Sequence, residues 1–308
     1  MTTTSIKTYP ISPYYDDYNE AKNYHRILFR PGYSVQAREL TQMQSALQAQ
    51  IDRHGQYAFK DGSRVVNGEV SLNIEFDYLK LESSFSHSGT TYNSNNLSAF
   101  EGTIITGTAS SGNQVTALVL KAVPAENNDP DTLYIKYQKS GDTSGSQVSD
   151  VEKFAPGEVF VSNADPVKYG MVGGGSNVDG SNQVSAITNP IGKGSSVSIS
   201  EGVYFISGCF TYVPSSTLIL DKYTNNPSNI IGLQVTESIV TSGTDATLVD
   251  NAQGVPNTSA PGANRYQIST TLIKQPIDID QRTVDKYITL LTVDDGVVQV
   301  DKTDKTSD

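Results

Sequence analysis

Between Ser34 and Gly55 the apolar positions recur with a helical period. Leu40, Met43, Leu47, Ile51 and His54 stand three, four, four and three residues apart, while Gln42, Gln44, Gln48, Gln50 and Arg53 fill the other faces. This spacing predicts an amphipathic α-helix with one narrow stripe. Ser34 suits its N-cap, Glu39 puts a carboxylate early in it, and Gly55 suits its end. A stripe one or two residues wide is the seam of a coiled coil, whereas a helix lying on a globular core shows a wider apolar face. Ala37, Ala46 and Ala49 would widen the face for core packing. The expectation carried forward is self-association through Leu40, Met43, Leu47, Ile51 and His54.

After about residue 63 the period changes to two. "VSLNIEFDYLKLE" alternates Leu72, Ile74 and Phe76 with Asn73, Glu75 and Asp77, the pattern of a half-buried strand. Further strands are expected in "GTIITGT", "QVTALVLKAV", "DTLYIKYQK", "GEVFVSN", "GVYFISGCFTYV", "STLILD", "NIIGLQVTE", "RYQISTTLI" and "KYITLLTVDDGVVQV". Asp295-Gly296 between two apolar runs signals a hairpin. The fold class expected is mainly β: an N-terminal extended arm and one coiled-coil-like α-helix, followed by two small antiparallel β domains. The boundaries expected are arm plus helix over 1–62, a main β domain over 63–98 and 197–308, a small inserted barrel or sandwich over 99–165, and a Gly/Ser-rich linker over 166–196. The closing "DKTDKTSD" reads as a frayed end or the start of a linker.

The first thirty or so residues show little periodicity before Asn19, yet they carry Tyr9, Tyr14, Tyr15, Tyr18, Tyr24 and Phe29 among prolines and polar residues. Such a segment cannot bury its aromatics alone. It lies against another chain or wraps its own domain, and the sequence leaves both open.

Composition narrows the partners. With 22 Lys and Arg against 33 Asp and Glu, the net charge is -11, so nucleic acid is not an expected ligand. Hydrophobic residues make up 36% of the 308, which fits several small cores, or cores completed by a partner, better than one large core. Cys209 is the one cysteine and sits in an apolar run, so no internal disulfide is possible and a small buried hydrophobe is expected. "MTTTSIKTYP" lacks the pattern of a secretory leader, and no apolar run approaches a membrane span. A soluble protein without a membrane partner is expected.

Candidate chemistry is thin. Gly173 to Gly175 and Gly192-Lys193-Gly194 suggest a phosphate loop, but the spacing G-x-x-x-x-G-K-[ST] is missing and no helix follows, so a linker is the better reading. Asp129 and Asp131, and Asp278 and Asp280, stand two apart as in some calcium loops, without the glycine and distal glutamate that complete an EF-hand. His25, His54 and His87 are scattered, and no G-x-S-x-G occurs. No catalytic, cofactor or metal residues are expected. Paired carboxylates for glycoside cleavage are the one arrangement that only the fold can decide.

Two stretches carry a resemblance. "YYDDYNEAKNYHRILFRPGYSVQARELTQMQSALQAQIDRHGQYAFKDGSRVVNG" resembles the N-terminal signature of a family of virion structural proteins of tailed bacteriophages, several of them tail-fibre or baseplate-associated. Its pattern has an aromatic and acidic lead, a "FRPG..VQARELTQ.Q" core, a glycine closing the helix, and "F.DGS.V..G"; it is matched at Phe29 to Gly32, Val35 to Gln42, Gln44, Gln50, Ile51, Gly55, Phe59 and Asp61 to Ser63. "ESIVTSGTDATLVDNAQGVPNTSAPGANRYQI" is similar to a later motif of the same family, through Glu237, Thr241, Asp245, Leu248, Asp250 to Ala252, Gly254, Asn257, Ala260 to Ala263 and Arg265. The two stretches flank a variable β insert.

The resemblance implies a structural protein of the tail baseplate, located in the virion and assembled in the host cytoplasm. It implies a homotrimeric connector that anchors a tail fibre protein or another appendage to baseplate proteins. Tyr14, Tyr15, Tyr18, Tyr24, Arg26, Phe29 and Arg30 are the residues expected to dock on a partner. The alternatives are a polysaccharide-binding or polysaccharide-degrading tail module, and a baseplate protein that carries no fibre.

Overall fold

A computed structural model describes residues 7–93, 97–126, 129–141, 152–174, 187, 189–251, 254–255, 257–278 and 286–302. One α-helix, α1 (Ala37–Ala58), precedes β1 (Arg64–Asn67), β2 (Val70–Lys80), β3 (Ser84–His87), β4 (Thr90–Asn93), β5 (Ile104–Thr108), β6 (Gln114–Val123), β7 (Thr132–Gly141), β8 (Val159–Ser162) and β9 (Tyr169–Met171). There follow β10 (Ile191–Ile199), β11 (Gly202–Ile206), β12 (Cys209–Val213), β13 (Ser216–Asp221), β14 (Asn229–Val240), β15 (Val249–Asp250), β16 (Asn257–Pro261), β17 (Arg265–Pro276), β18 (Tyr287–Asp294) and β19 (Val297–Asp301). The mainly β class with a single α-helix among the described residues is as the sequence pattern implies.

The chain divides into two compact units, the first of residues 1–71, 197–218 and 228–308, the second of 72–196 and 219–227. The first holds α1, a three-stranded sheet in the order β1-β11-β12 and a four-stranded sheet in the order β17-β14-β18-β19. Its buried side chains include Tyr204, Phe205 and Ile206 of β11, Ile231 and Leu233 of β14, and Leu290, Leu291 and Val293 of β18. Two hairpins turn on adjacent residues with positive φ, Ser207-Gly208 (φ 49 and 77) and Asp295-Gly296 (φ 48 and 77). That backbone matches the twist of the strands it joins, which is why glycine stands second in each.

In the second unit β5, β6 and β7 form a meander, β7 also pairs with β2, and β5 pairs with β8. One face buries Leu79, Ile105, Val119, Leu133 and Phe160. A smaller cluster stacks Phe76 on Tyr134, with ring centroids 5.1 Å apart. Each core is modest, as the hydrophobic content implies.

Several expectations need correction. Unit two begins at Leu72, not at 99, because β2 runs on as the neighbour of β7 and joins its core. Residues 166–196, expected as linker, hold β9 and most of β10. Gly192 and Gly194 lie in β10 because a side chain would not fit: a Cβ would stand 2.6 Å from Tyr78 Oη and 2.6 Å from the Lys222 carbonyl oxygen. Gly175 and Asp280 lie outside the described residues. The helix is capped by Gln36, whose N–H is bonded at 2.9 Å by the Glu39 carboxylate, rather than by Ser34. It passes through Gly55 and ends at Ala58, since Gly55 is there for packing and has no left-handed turn to make.

Candidate assembly surface

The helix is seated the opposite way round from an ordinary core helix. Its buried residues are Ala49, Asp52 and Gly55. Gly55 lets the helix approach Phe205, where a Cβ would lie 2.2 Å from the ring. Gln48 donates to the Gly208 carbonyl at 2.8 Å and to Cys209 Sγ at 3.3 Å. Asp52, fully buried, accepts from Gln56 at 2.9 and 3.1 Å. Small and polar residues thus hold α1 to its own unit.

The apolar stripe faces out. Leu40, Met43, Leu47 and Ile51 are exposed, Leu47 by 61%, and His54 is exposed beside them. Tyr57, one turn further, is 88% exposed. Roughly half of each stripe side chain is left in water, although burying such a residue completely is worth ~1.5–3 kcal/mol.

The arm divides into two parts. Residues 7–22 wrap their own unit. Lys7 pairs with Glu237 at 3.0 Å, Tyr9 packs edge-on against Tyr14 and Tyr266, and Asn264 donates to the Tyr14 hydroxyl at 2.6 Å. Ser45 donates to buried Asp16 at 2.5 Å, Gln42 donates to Asp17, and Arg53 grips Glu20 through two bonds of 2.7 and 2.5 Å. Tyr14 is therefore engaged within its own chain, and Tyr18 is half-buried with its hydroxyl pKa pushed up by that burial. Both expected docking residues are thus half-buried within their own unit. The arm's carboxylates find α1 donors, which composition alone could not reveal.

From Asn23 to Gln36 the side chains stand in solvent, apart from half-buried Ile27. Leu28 is 78% exposed, and Tyr24, Phe29, Tyr33 and Val35 are exposed with it. Arg30 stacks over the Tyr33 ring at 4.3 Å, and Arg26 is exposed. Of the expected docking residues, Tyr15, Tyr24, Arg26, Phe29 and Arg30 are free to meet another surface. A groove of about 500 Å³ runs between this segment and the helix, lined by Tyr24, Ile27, Arg26, Met43, Ala46 and Leu47. Exposed stripe and exposed segment are thus continuous.

Several other candidate residues have partners within the chain. Asp129 accepts from Lys222 at 2.7 Å and from the Tyr223 hydroxyl, and Asp131 accepts from the Ala125 N–H at 2.8 Å. Lys193 lies in β10 and pairs with Glu75 at 3.0 Å. The Cys209 thiol is half-buried and pushed up by that burial, away from thiolate reactivity. Among the described residues no group of three or more His, Cys, Asp or Glu is placed to hold a metal ion, and no helix is long and apolar enough to cross a membrane.

The chain is thus mainly β, with an outward apolar stripe beside a solvent-facing aromatic segment. By sequence profile the chain belongs to the family described as domain of unknown function DUF4815, matched over residues 12–124 and 170–308. The stretch left out contains β7 and β8 of unit two, while α1, the exposed segment and the four-stranded sheet lie within the match. Comparisons with curated proteins and with solved structures gave no match.

Proposed function

We propose that this chain is a structural component of a phage tail baseplate, a homotrimeric connector that joins baseplate proteins to a tail fibre protein or another appendage. The observation that carries the reading is the orientation of α1. A helix held by Gln48, Asp52 and Gly55 with Leu40, Met43, Leu47 and Ile51 in water has its hydrophobic partner elsewhere. A narrow stripe of this spacing is met by copies of itself in a short parallel bundle. The virion setting rests on the resemblance of the first sixty or so residues and of the segment around Asp250 to tailed-phage structural proteins.

The role is one of holding, without turnover. The larger cavity of the first unit, about 710 Å³, has aromatic walls in Tyr9, Tyr14 and Tyr266, yet none of its lining residues is acidic. Glu237 beside it is bound by Lys7 at 3.0 Å and Lys286 at 3.3 Å. Glycoside cleavage needs two carboxyl groups facing the bond. Light scattering of the purified chain tests the reading: a trimer across the micromolar range is expected, and a monomer throughout that range overturns it.

A further inference from the structure

The outward stripe of α1 ends on a side chain that can ligate a metal. Ile51 stands eleven residues after Leu40, and His54 eleven after Met43. Eleven residues make three turns of helix to within about 20°, so His54 holds nearly the same angular position as Met43. The buried residues Ala49, Asp52 and Gly55 lie on another side of the helix, and His54 is exposed in the single chain. Among the described residues its imidazole has no hydrogen-bond or ion-pair partner. Its neighbours three and four positions along the helix, Gln50, Ile51, Tyr57 and Ala58, carry no charge.

One chain brings one such ring, and among its described residues no group of three or more His, Cys, Asp or Glu could hold a metal ion. A three-fold assembly changes the count. If the stripe forms its seam, symmetry sets three copies of His54 at one height and at equal distances from the axis. Closing the seam takes the rings out of water, and a ring nitrogen left without a partner there carries its full desolvation cost. Protonation is no remedy, since it would set three like charges side by side. A divalent cation accepts a lone pair from each ring at once. Three imidazole nitrogens at about 2.0–2.1 Å, with a fourth position open to water, form a recurring zinc site. Each α1 ends at Ala58, four residues further on, and the negative end of a helix favours a cation.

We infer that His54 from three copies binds one divalent cation of the zinc type, Zn²⁺, Co²⁺ or Ni²⁺, on the three-fold axis. This rests on the trimer reading and adds to it an ion that ties the copies together at the C-terminal end of the seam. Because a lone chain offers a single imidazole, the ion favours the assembled state and leaves the fold of each copy alone.

Untagged full-length chain, stripped with a chelator and dialysed, is titrated with zinc chloride in a calorimeter while light scattering follows its mass. One ion for every three chains is expected. His54→Ala, a change at an exposed position, is expected to stay folded and trimeric and to lose that ion. Zinc at a hundred times its dissociation constant is expected to lower the dissociation constant of the trimer about 100-fold in the parent chain and to leave that of His54→Ala unchanged. Cobalt chloride in place of zinc should give the visible absorption of a tetrahedral site, absent from His54→Ala. A trimer that binds no zinc, or whose ion survives His54→Ala, overturns the inference and leaves the trimer standing. So does a monomeric Leu47→Asp chain that binds zinc as tightly as the parent. A chain that is monomeric with and without zinc defeats the trimer reading and this site together.

Discussion

Replacing Leu47 by aspartate should separate assembly from folding. Leu47 is 61% exposed in the single chain, so its own unit loses little when the side chain changes. The fold should feel only the difference in helix propensity, roughly 0.5 kcal/mol. Assembly is different. Covering the exposed three-fifths of a leucine is worth about 1–2 kcal/mol, or about 3–5 kcal/mol for three copies, so losing it weakens the trimer roughly 10²–10⁴-fold. Three carboxylates brought together in a seam add unpaired buried charge to that loss. The expected result is a monomer by light scattering at micromolar concentration whose circular dichroism matches that of the parent. Leu47→Asp that remains trimeric would refute the seam, and Leu47→Asp that no longer folds would show that the stripe serves its own core.

Other expectations follow from the packing and the ionised groups. Gly55→Ala forces a Cβ to within 2.2 Å of Phe205 and should destabilise the first unit by about 1–3 kcal/mol in denaturant melts, unlike a substitution on the stripe. Burial raises the Glu237 carboxyl, but bonds from Lys7, Lys286 and Tyr266 outweigh it and leave its pKa below the ordinary value. Its stabilising contribution is therefore full above the unfolded pKa of about 4.3 and lost as pH falls through the lower folded value, so cleavage of the arm by an acid-tolerant protease should rise only below about pH 4. Glu82 is buried in unit two and has its pKa raised by that burial, with one bond from the Gly174 N–H at 3.4 Å lowering it in part. A raised carboxyl costs stability as pH rises through its folded pKa, so Glu82→Gln should raise the melting temperature at pH 7 and show little gain near pH 4.

The sequence made α1 and most strands legible because their signals are local. The period of Leu40, Met43, Leu47 and Ile51 needs only its own helix, and Asp295-Gly296 needs only a turn with positive φ at both positions. What it hid depends on distant partners. The face that α1 buries is set by Gly208, Cys209 and Phe205, some 150 residues further along, and nothing in the helix announces that its glutamines will be the anchored side. Glycine was misleading for the same reason. In "IGKGSS" it reads as linker, yet the positions are small because Tyr78 and Lys222 press on β10. The arm's aromatics suggested a foreign partner, whereas its carboxylates were the informative residues. Asp16, Asp17 and Glu20 meet Ser45, Gln42 and Arg53 of the helix.

On the trimer reading, the inverted seat of α1 gives the two attachments of the helix opposite responses to cold. Hydrogen bonds and close contact at Gln48, Asp52 and Gly55 hold it to its own chain, whereas an association built on exposed Leu, Met and Ile draws on water release. That driving force fades on cooling. A chilled trimer would then loosen at the joints between copies while each copy stayed folded, and rewarming would restore the joints without refolding.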